Sequence, residues 1–364
     1  MLPSLRRVLA GTVVAGALVA GSGDTSMAQR EPDAAAGRGA PVLSWELTPT
    51  GTSARLRGLS AVSSTVAWAS GSLGTVLRTT DGGATWASVG PPETSDLQFR
   101  DIEATSDRHA VILSIGPGAD SRIYVTDDGG ASWKRTFQND DPDAFYDCMA
   151  FSTPQRGLAV SDPVDRVFRL QETTDGGHSW SLVHPSGMPP AQPNEFAFAA
   201  SGTCLTAGQG QSTYLASGGD GPRIFVSRDR GHTWSVTQAP LAVGGSAGVF
   251  SVRFGDRHNG IAVGGDFANE RSSLGNAAWS NDGGSSWRPA SVTPRGYRSG
   301  SAWLAQERDV AVAVGPTGSD VTADAGRTWS LFDSGSFDSV ECSSDGACWA
   351  SGVQGRVAAL VVSR

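Results

Sequence analysis

The stretch TTDGGATW, Thr79 to Trp86, places an acid and two glycines immediately before a tryptophan, and near copies of it recur along the chain. They are TDDGGASW at Thr126–Trp133, TTDGGHSW at Thr173–Trp180 and SRDRGHTW at Ser227–Trp234, then SNDGGSSW at Ser280–Trp287 and TADAGRTW at Thr322–Trp329. The shared form is Ser or Thr, any residue, Asp, any residue, Gly, two residues, Trp. Successive tryptophans stand 47, 47, 54, 53 and 42 residues apart, the spacing of a supersecondary repeat. Six equivalent acids argue for construction. A catalytic role would need six active sites or an unexplained choice among them.

Each repeat has the same internal order. A short apolar run comes first (LRGLSAV, FRDIEAT, FYDCMAF, EFAFAAS, FSVRFGD), and a second ends in small residues (TVAWASG, RGLAVSD, TCLTAGQ, NGIAVGG). A third leads into the acidic turn, and the tryptophan opens a fourth. Runs this short, punctuated this often, are strands of an antiparallel sheet. One such sheet cannot bury both faces alone, whereas radial stacking buries them and leaves short protected edges. The fold expected is therefore all-β, a seven-bladed β-propeller with four-stranded antiparallel blades. Six blades carry the turn, at about 51–94, 95–140, 141–190, 191–242, 243–295 and 296–335. The segment 336–364 has three strands, and LSWELTPTG, Leu43–Gly51, supplies the fourth, so that the N-terminal strand joins the last blade and closes the ring.

Within the turn, Asp81 can accept from backbone amides, Thr79 adds a hydroxyl, and Gly83 permits a backbone conformation that larger residues resist. Trp86 can pack its ring beneath the turn. The same structural roles are expected of Asp128, Asp175, Asp229, Asp282 and Asp324, and of Trp133, Trp180, Trp234, Trp287 and Trp329. One carboxylate per turn is a poor calcium ligand set.

At the N-terminus, Arg6 and Arg7 precede an apolar run to about Ser22, and Ser26-Met27-Ala28 offers small residues before a cut. Residues 1–28 read as a signal peptide, 29–40 as a flexible lead-in and 41–364 as a single domain. The chain is expected to be secreted or otherwise extracytoplasmic, with no integral membrane segment after cleavage. A net charge of −8 gives no reason to expect nucleic acid. Export permits disulfides. Cys342 and Cys348 flank a turn between two apolar runs and fit one bridge; Cys148 and Cys204 pair only by elimination, with buried free thiols the alternative. His109, His178, His184, His232 and His258 are scattered, so no metal site is expected, and no cofactor motif is present.

The six copies resemble Asp-box repeats, also called bacterial neuraminidase repeats, which in that family are structural hairpins away from substrate. The longer pattern is similar to propellers related to the photosystem II stability and assembly factor, a resemblance that covers residues 43–364. That resemblance implies a non-catalytic protein-binding or assembly module working through its faces, and a monomer is expected. Photosynthetic members bear a basic patch; Arg57 and Arg100 stand at matching strand starts, but Tyr146, Glu195 and Phe250 follow, so no continuous arginine patch is expected. The alternative is a carbohydrate-binding protein or sialidase-like glycoside hydrolase, which would need three arginines and a Tyr–Glu pair in one pocket. Specificity is expected in two insertions between second and third strands, 208–223 and 264–277. Their Tyr214, Asp220, Arg223, Asp266, Phe267, Asn269, Glu270 and Arg271 would form a rim for a protein or glycan.

Overall fold

The apolar runs become strands, and turns reverse the chain between them. The computed structural model describes residues 41–363; the expected signal peptide, 1–28, and the whole lead-in, 29–40, lie outside the described residues. Blade one is Leu56–Ala61, Ala67–Gly71, Val76–Thr79 and Ala87–Ser88, each antiparallel to the next. Blade two is Gln98–Ala104, Ala110–Ile115, Arg122–Thr126 and Lys134–Gln138. Blades three, five and six repeat the order, beginning at Tyr146–Thr153, Gly244–Phe254 and Gly300–Trp303. Blade seven is Ser339–Cys342, Cys348–Ser351 and Val357–Ser363, completed by Val42–Thr48. The result is a seven-bladed propeller, and no helix among the described residues is long and apolar enough to cross a membrane.

Ring closure follows from period-two patterning. Val42–Thr48 pairs with Val357–Ser363 from Val42↔Ser363 to Thr48↔Val357. Leu43 and Trp45 turn inward while Val42, Ser44 and Glu46 face out. The Trp45 ring lies 5.3 Å from Phe337 and 5.9 Å from Phe332, and its Nε1 donates to Ser319 Oγ at 2.9 Å. Across the next seam, Trp86 meets Trp349 edge-on at 6.0 Å and donates to Thr48 Oγ1.

Blade four departs from the expected pattern. EFAFAAS and TCLTAGQ read as its first two strands, but the strands are Leu205–Ala207, Thr213–Ala216, Arg223–Ser227 and Trp234–Gln238. Residues 208–212 close a tight turn, with the Gly208 amide donating to the Ser212 carbonyl. The expected insertion 208–223 therefore contains the second strand. Glu195–Phe196 instead pairs with Gly218–Gly219, which pairs with Gly244 and Gly248, so blade five's sheet gains two short strands. A Cβ at Gly218 would fall 2.3 Å from the Phe198 ring, so this approach requires glycine.

The six acidic turns share one hydrogen-bond scheme. In blade one, Thr79 Oγ1 donates to Asp81 Oδ1 (2.8 Å) and accepts from the Gly83 amide (2.9 Å). Thr85 then binds both carboxylate oxygens, its amide donating to Oδ1 (2.9 Å) and its hydroxyl to Oδ2 (2.6 Å). Ser132, Ser179, Thr233, Ser286 and Thr328 repeat the second clamp. These bonds hold the carboxylates below their usual range; Thr85 is the main cause at Asp81, and Ser132 takes Asp128 to about 2. Gly83 sits at φ +84°, and a Cβ there would lie 2.8 Å from Thr48 Cγ2 of the neighbouring blade.

Both disulfides form. Cys342–Cys348 bridges directly opposed residues of one hairpin. Cys148–Cys204 ties the first strand of blade three to the chain entering blade four.

Candidate functional site

The two faces of the ring are built differently. In blade one the Gly82 amide donates to the Thr65 carbonyl, so the acidic turn sits beside the loop joining the first two strands. The same bond recurs as Gly129 to Arg108, Gly176 to Gln155, Arg230 to Gln211, Gly283 to His258 and Ala325 to Asp309. That face is occupied by structural turns. The opposite face carries the starts of the first strands, and there a cavity of about 280 Å³ opens, close to the lower end of ordinary ligand pockets.

Its floor and one wall are cationic. Arg55 binds Asp338 bidentately, Nε to Oδ2 at 2.8 Å and Nη2 to Oδ1 at 2.6 Å. Arg57 approaches the same carboxylate at 3.7 Å, and its buried Nε has no hydrogen-bond partner. Arg100 donates to the Ala199 carbonyl and to Gln98 Oε1, both neutral acceptors. Burial first, and then the neighbouring Arg57 and Arg55, lowers Arg100 to about 10. Burial also lowers Arg57, whereas the hydrogen bonds that Arg55 donates to Asp338 raise Arg55.

The other wall is aromatic. Phe198 stacks on Phe250 with centroids 3.7 Å apart, and Phe267 stands edge-on to both at 6.2 Å. Tyr297 packs against Phe250 at 4.7 Å, its phenol pushed up by burial. Phe267 is half exposed (48%), so the apolar wall reaches solvent. Glu270 and Pro316 complete the rim.

The wall bearing Phe198 is held from below. Glu195 is fully buried and binds Arg223 bidentately at 2.9 and 2.6 Å, and also accepts from Ser217 Oγ and the Gln192 amide. Cys148–Cys204 anchors the other end of this segment.

Deeper in the central channel is a second, polar cavity of about 110 Å³, lined in part by Asp101, Glu103, Arg253 and Glu341. Asp101 accepts from the Ile102 and Met149 amides, yet burial pushes it up to about 8. Burial likewise raises Glu103 and Glu341. These acids line a space too small for a sugar chain.

The residues expected to form a rim in the two insertions separate by environment into four groups. Phe267 and Glu270 line the main cavity. Asn269 and Arg271 are exposed beside it, and Asp266 accepts from Ser246 Oγ at the base of the same loop. Asp220 is exposed and accepts from Asn194 Nδ2. Tyr214 and Arg223 are buried: Tyr214 stacks on Phe254 at 3.9 Å, and Arg223 serves Glu195. At the strand starts, Arg57 and Arg100 do meet, joined by Arg55, while Tyr146 is buried and bound by Gln171. Sequence reasoning missed Arg55, Phe198, Tyr297 and Asp338; the one available signal was Arg55 two positions before Arg57 on a strand start.

No family model matches the chain, and no curated protein sequence matches it. Solved structures do. A structure described as "YCF48 bound to D1 peptide" has a TM-score of 0.62 at 17% identity over 88% of this chain and 97% of that one. YCF48 from Cyanidioschyzon merolae has a TM-score of 0.62 at 15% identity, covering 86% and 98%. The GH74 enzyme of Niastella koreensis reaches 0.59 at 13% identity, over 86% of this chain and 53% of its own. The likeness is one of fold.

Proposed function

We propose that this chain is an exported, monomeric, non-catalytic binding or assembly module whose ligand is an extended protein segment carrying a carboxylate beside an apolar side chain. One observation carries the reading: Arg57 and Arg100 lack bidentate carboxylate partners and adjoin the Phe198–Phe250–Phe267 wall. A carboxylate would take the guanidinium donors, and an apolar side chain would cover the exposed Phe267 ring. The peptide-bound YCF48 structure among its structural neighbours supports a propeller face as a peptide site. Asp266, Asn269, Glu270 and Arg271 would set specificity at the rim, with Asp220 farther out. The six acidic turns act as Asp boxes that brace hairpins on the other face. The leader-like N-terminus and the two disulfides support an extracytoplasmic location.

The test is selection of binders from a displayed random peptide library, followed by fluorescence anisotropy on one selected peptide. Binding should weaken at least tenfold in Arg100→Gln and in Phe267→Ala. Equal affinity in both variants would remove the cavity from consideration.

A second reading draws on the same cationic wall: three arginines, Tyr297 and Glu270 suit a sialoside carboxylate. Against it, burial raises the Tyr297 phenol, the opposite of an activated nucleophile. Release of fluorophore from a sialoside, abolished by Tyr297→Phe, would favour this alternative.

A further inference from the structure

On the face opposite the cavity, the fold brings together two histidines and an acid that lie far apart in sequence. His109 precedes the second strand of blade two, Asp127 occupies the variable position of blade two's acidic turn, and His178 occupies a variable position of blade three's. His109 Nδ1 stands 2.8 Å from Asp127 Oδ1, and His178 Nε2 stands 3.5 Å from Asp127 Oδ2. One ligand atom from each of the three falls within 4.8 Å of the other two. Neither acidic turn uses these side chains for its own bracing, which falls to Asp128 and Asp175.

We infer that His109, Asp127 and His178 form a binding site for one divalent late transition-metal ion of the zinc class, stapling blade two to blade three. A tetrahedral ion with bonds of about 2.0–2.1 Å needs ligand atoms about 3.3 Å apart. The contacts at 2.8 and 3.5 Å run to different oxygens of Asp127, and with one ligand atom taken from each residue the three lie within 4.8 Å of one another, a spread that side-chain rotation closes to the tetrahedral spacing. The backbones are fixed. Asp127 and His178 sit within clamped turns, and the His109 amide donates to Ser106 Oγ at 3.0 Å. The Asp127 side chain, 62% exposed, is free to swing. Two imidazoles and one carboxylate favour zinc, copper or nickel over magnesium or calcium, and the exposed side leaves a coordination position for water. Binding would replace the contact between His109 Nδ1 and Asp127 Oδ1 with bonds to the ion.

The test uses the tag-free chain with cobalt(II) and zinc(II) as the probes. Cobalt should produce the visible absorption of a low-symmetry four- or five-coordinate site at a stoichiometry of one, and zinc should displace it and raise the melting temperature. His178→Ala and Asp127→Asn should each weaken affinity at least tenfold while melting like wild type without metal, whereas His258→Ala should bind as wild type does. The assignment is overturned if no absorption develops at about millimolar cobalt, or if His178→Ala and Asp127→Asn bind with unchanged affinity.

Discussion

Ring closure by the N-terminal strand can be tested with single side chains. Leu43 is 5% exposed and belongs to an apolar cluster with Val312, Val314, Phe337 and Val340, spanning the last two blades. Removing its isobutyl group should cost about 2–4 kcal/mol, the transfer of the buried carbons plus the cavity left behind. Trp45 is half-buried, so Trp45→Ala should cost less than the about 3–5 kcal/mol of a fully buried indole. About 2–3 kcal/mol is expected, including about 1 kcal/mol for the bond to Ser319. At about 2 °C per kcal/mol for a domain of this size, each substitution should lower the melting temperature by about 5 °C. The pair should fall short of additivity, because both side chains pack against one cluster. Glu46→Ala, on the outward face of the same strand, is the control and should stay within about 0.5 kcal/mol of wild type. The assay is thermal unfolding followed by circular dichroism. Melting of Leu43→Ala and Trp45→Ala indistinguishable from that of Glu46→Ala would refute closure by this strand. Deletion of residues 41–50 is the harsher form: it bares the Val357–Ser363 edge and should cause aggregation.

Other expectations follow from the buried charges and the disulfide. Glu195→Ala leaves the Arg223 guanidinium buried without its carboxylate and should cost about 3–5 kcal/mol in denaturant unfolding. The folded chain holds a proton on Asp101 up to about pH 8 that the unfolded chain releases near pH 4. Stability should therefore fall as pH rises through that window, and less steeply in Asp101→Asn. The acidic turns have the opposite sign: with Asp128 at about 2, their contribution is present above about pH 4 and is lost as pH falls toward 2. Replacing Cys148 and Cys204 with serine opens a loop of sequence separation 56 and should cost up to about 4 kcal/mol. Because that bridge anchors the segment bearing Phe198, peptide affinity should drop as well.

What was legible in the sequence is what repeats. The acid, glycine and tryptophan of the turn recur at one spacing, so six copies state the blade and the solitary Trp45 states the closure. The hydroxyl immediately before each tryptophan was equally present, yet its grip on the carboxylate became evident only from the hydrogen bonds. Blade four departs from the repeat pattern because a Gly-rich turn at 208–211 resembles the glycine ending of a second strand, and pairing of Glu195–Phe196 with Gly218–Gly219 has no local signature. The cavity depends on proximity across blades. Arg55 and Phe198 line one cavity through the curvature of the ring, which a linear pattern of apolar runs does not encode. The same holds for His109, Asp127 and His178, scattered in sequence and adjacent in space.

The fold assigns ligand recognition to the arginine–phenylalanine face and bracing to the acidic-turn face. Hydrogen exchange with and without a selected peptide tests it directly. Protection should increase at 55–58, 98–101, 196–200 and 264–271 and stay unchanged at the six acidic turns. Protection centred on the acidic turns, with the arginine-bearing strand starts unaffected, would place recognition on the wrong face.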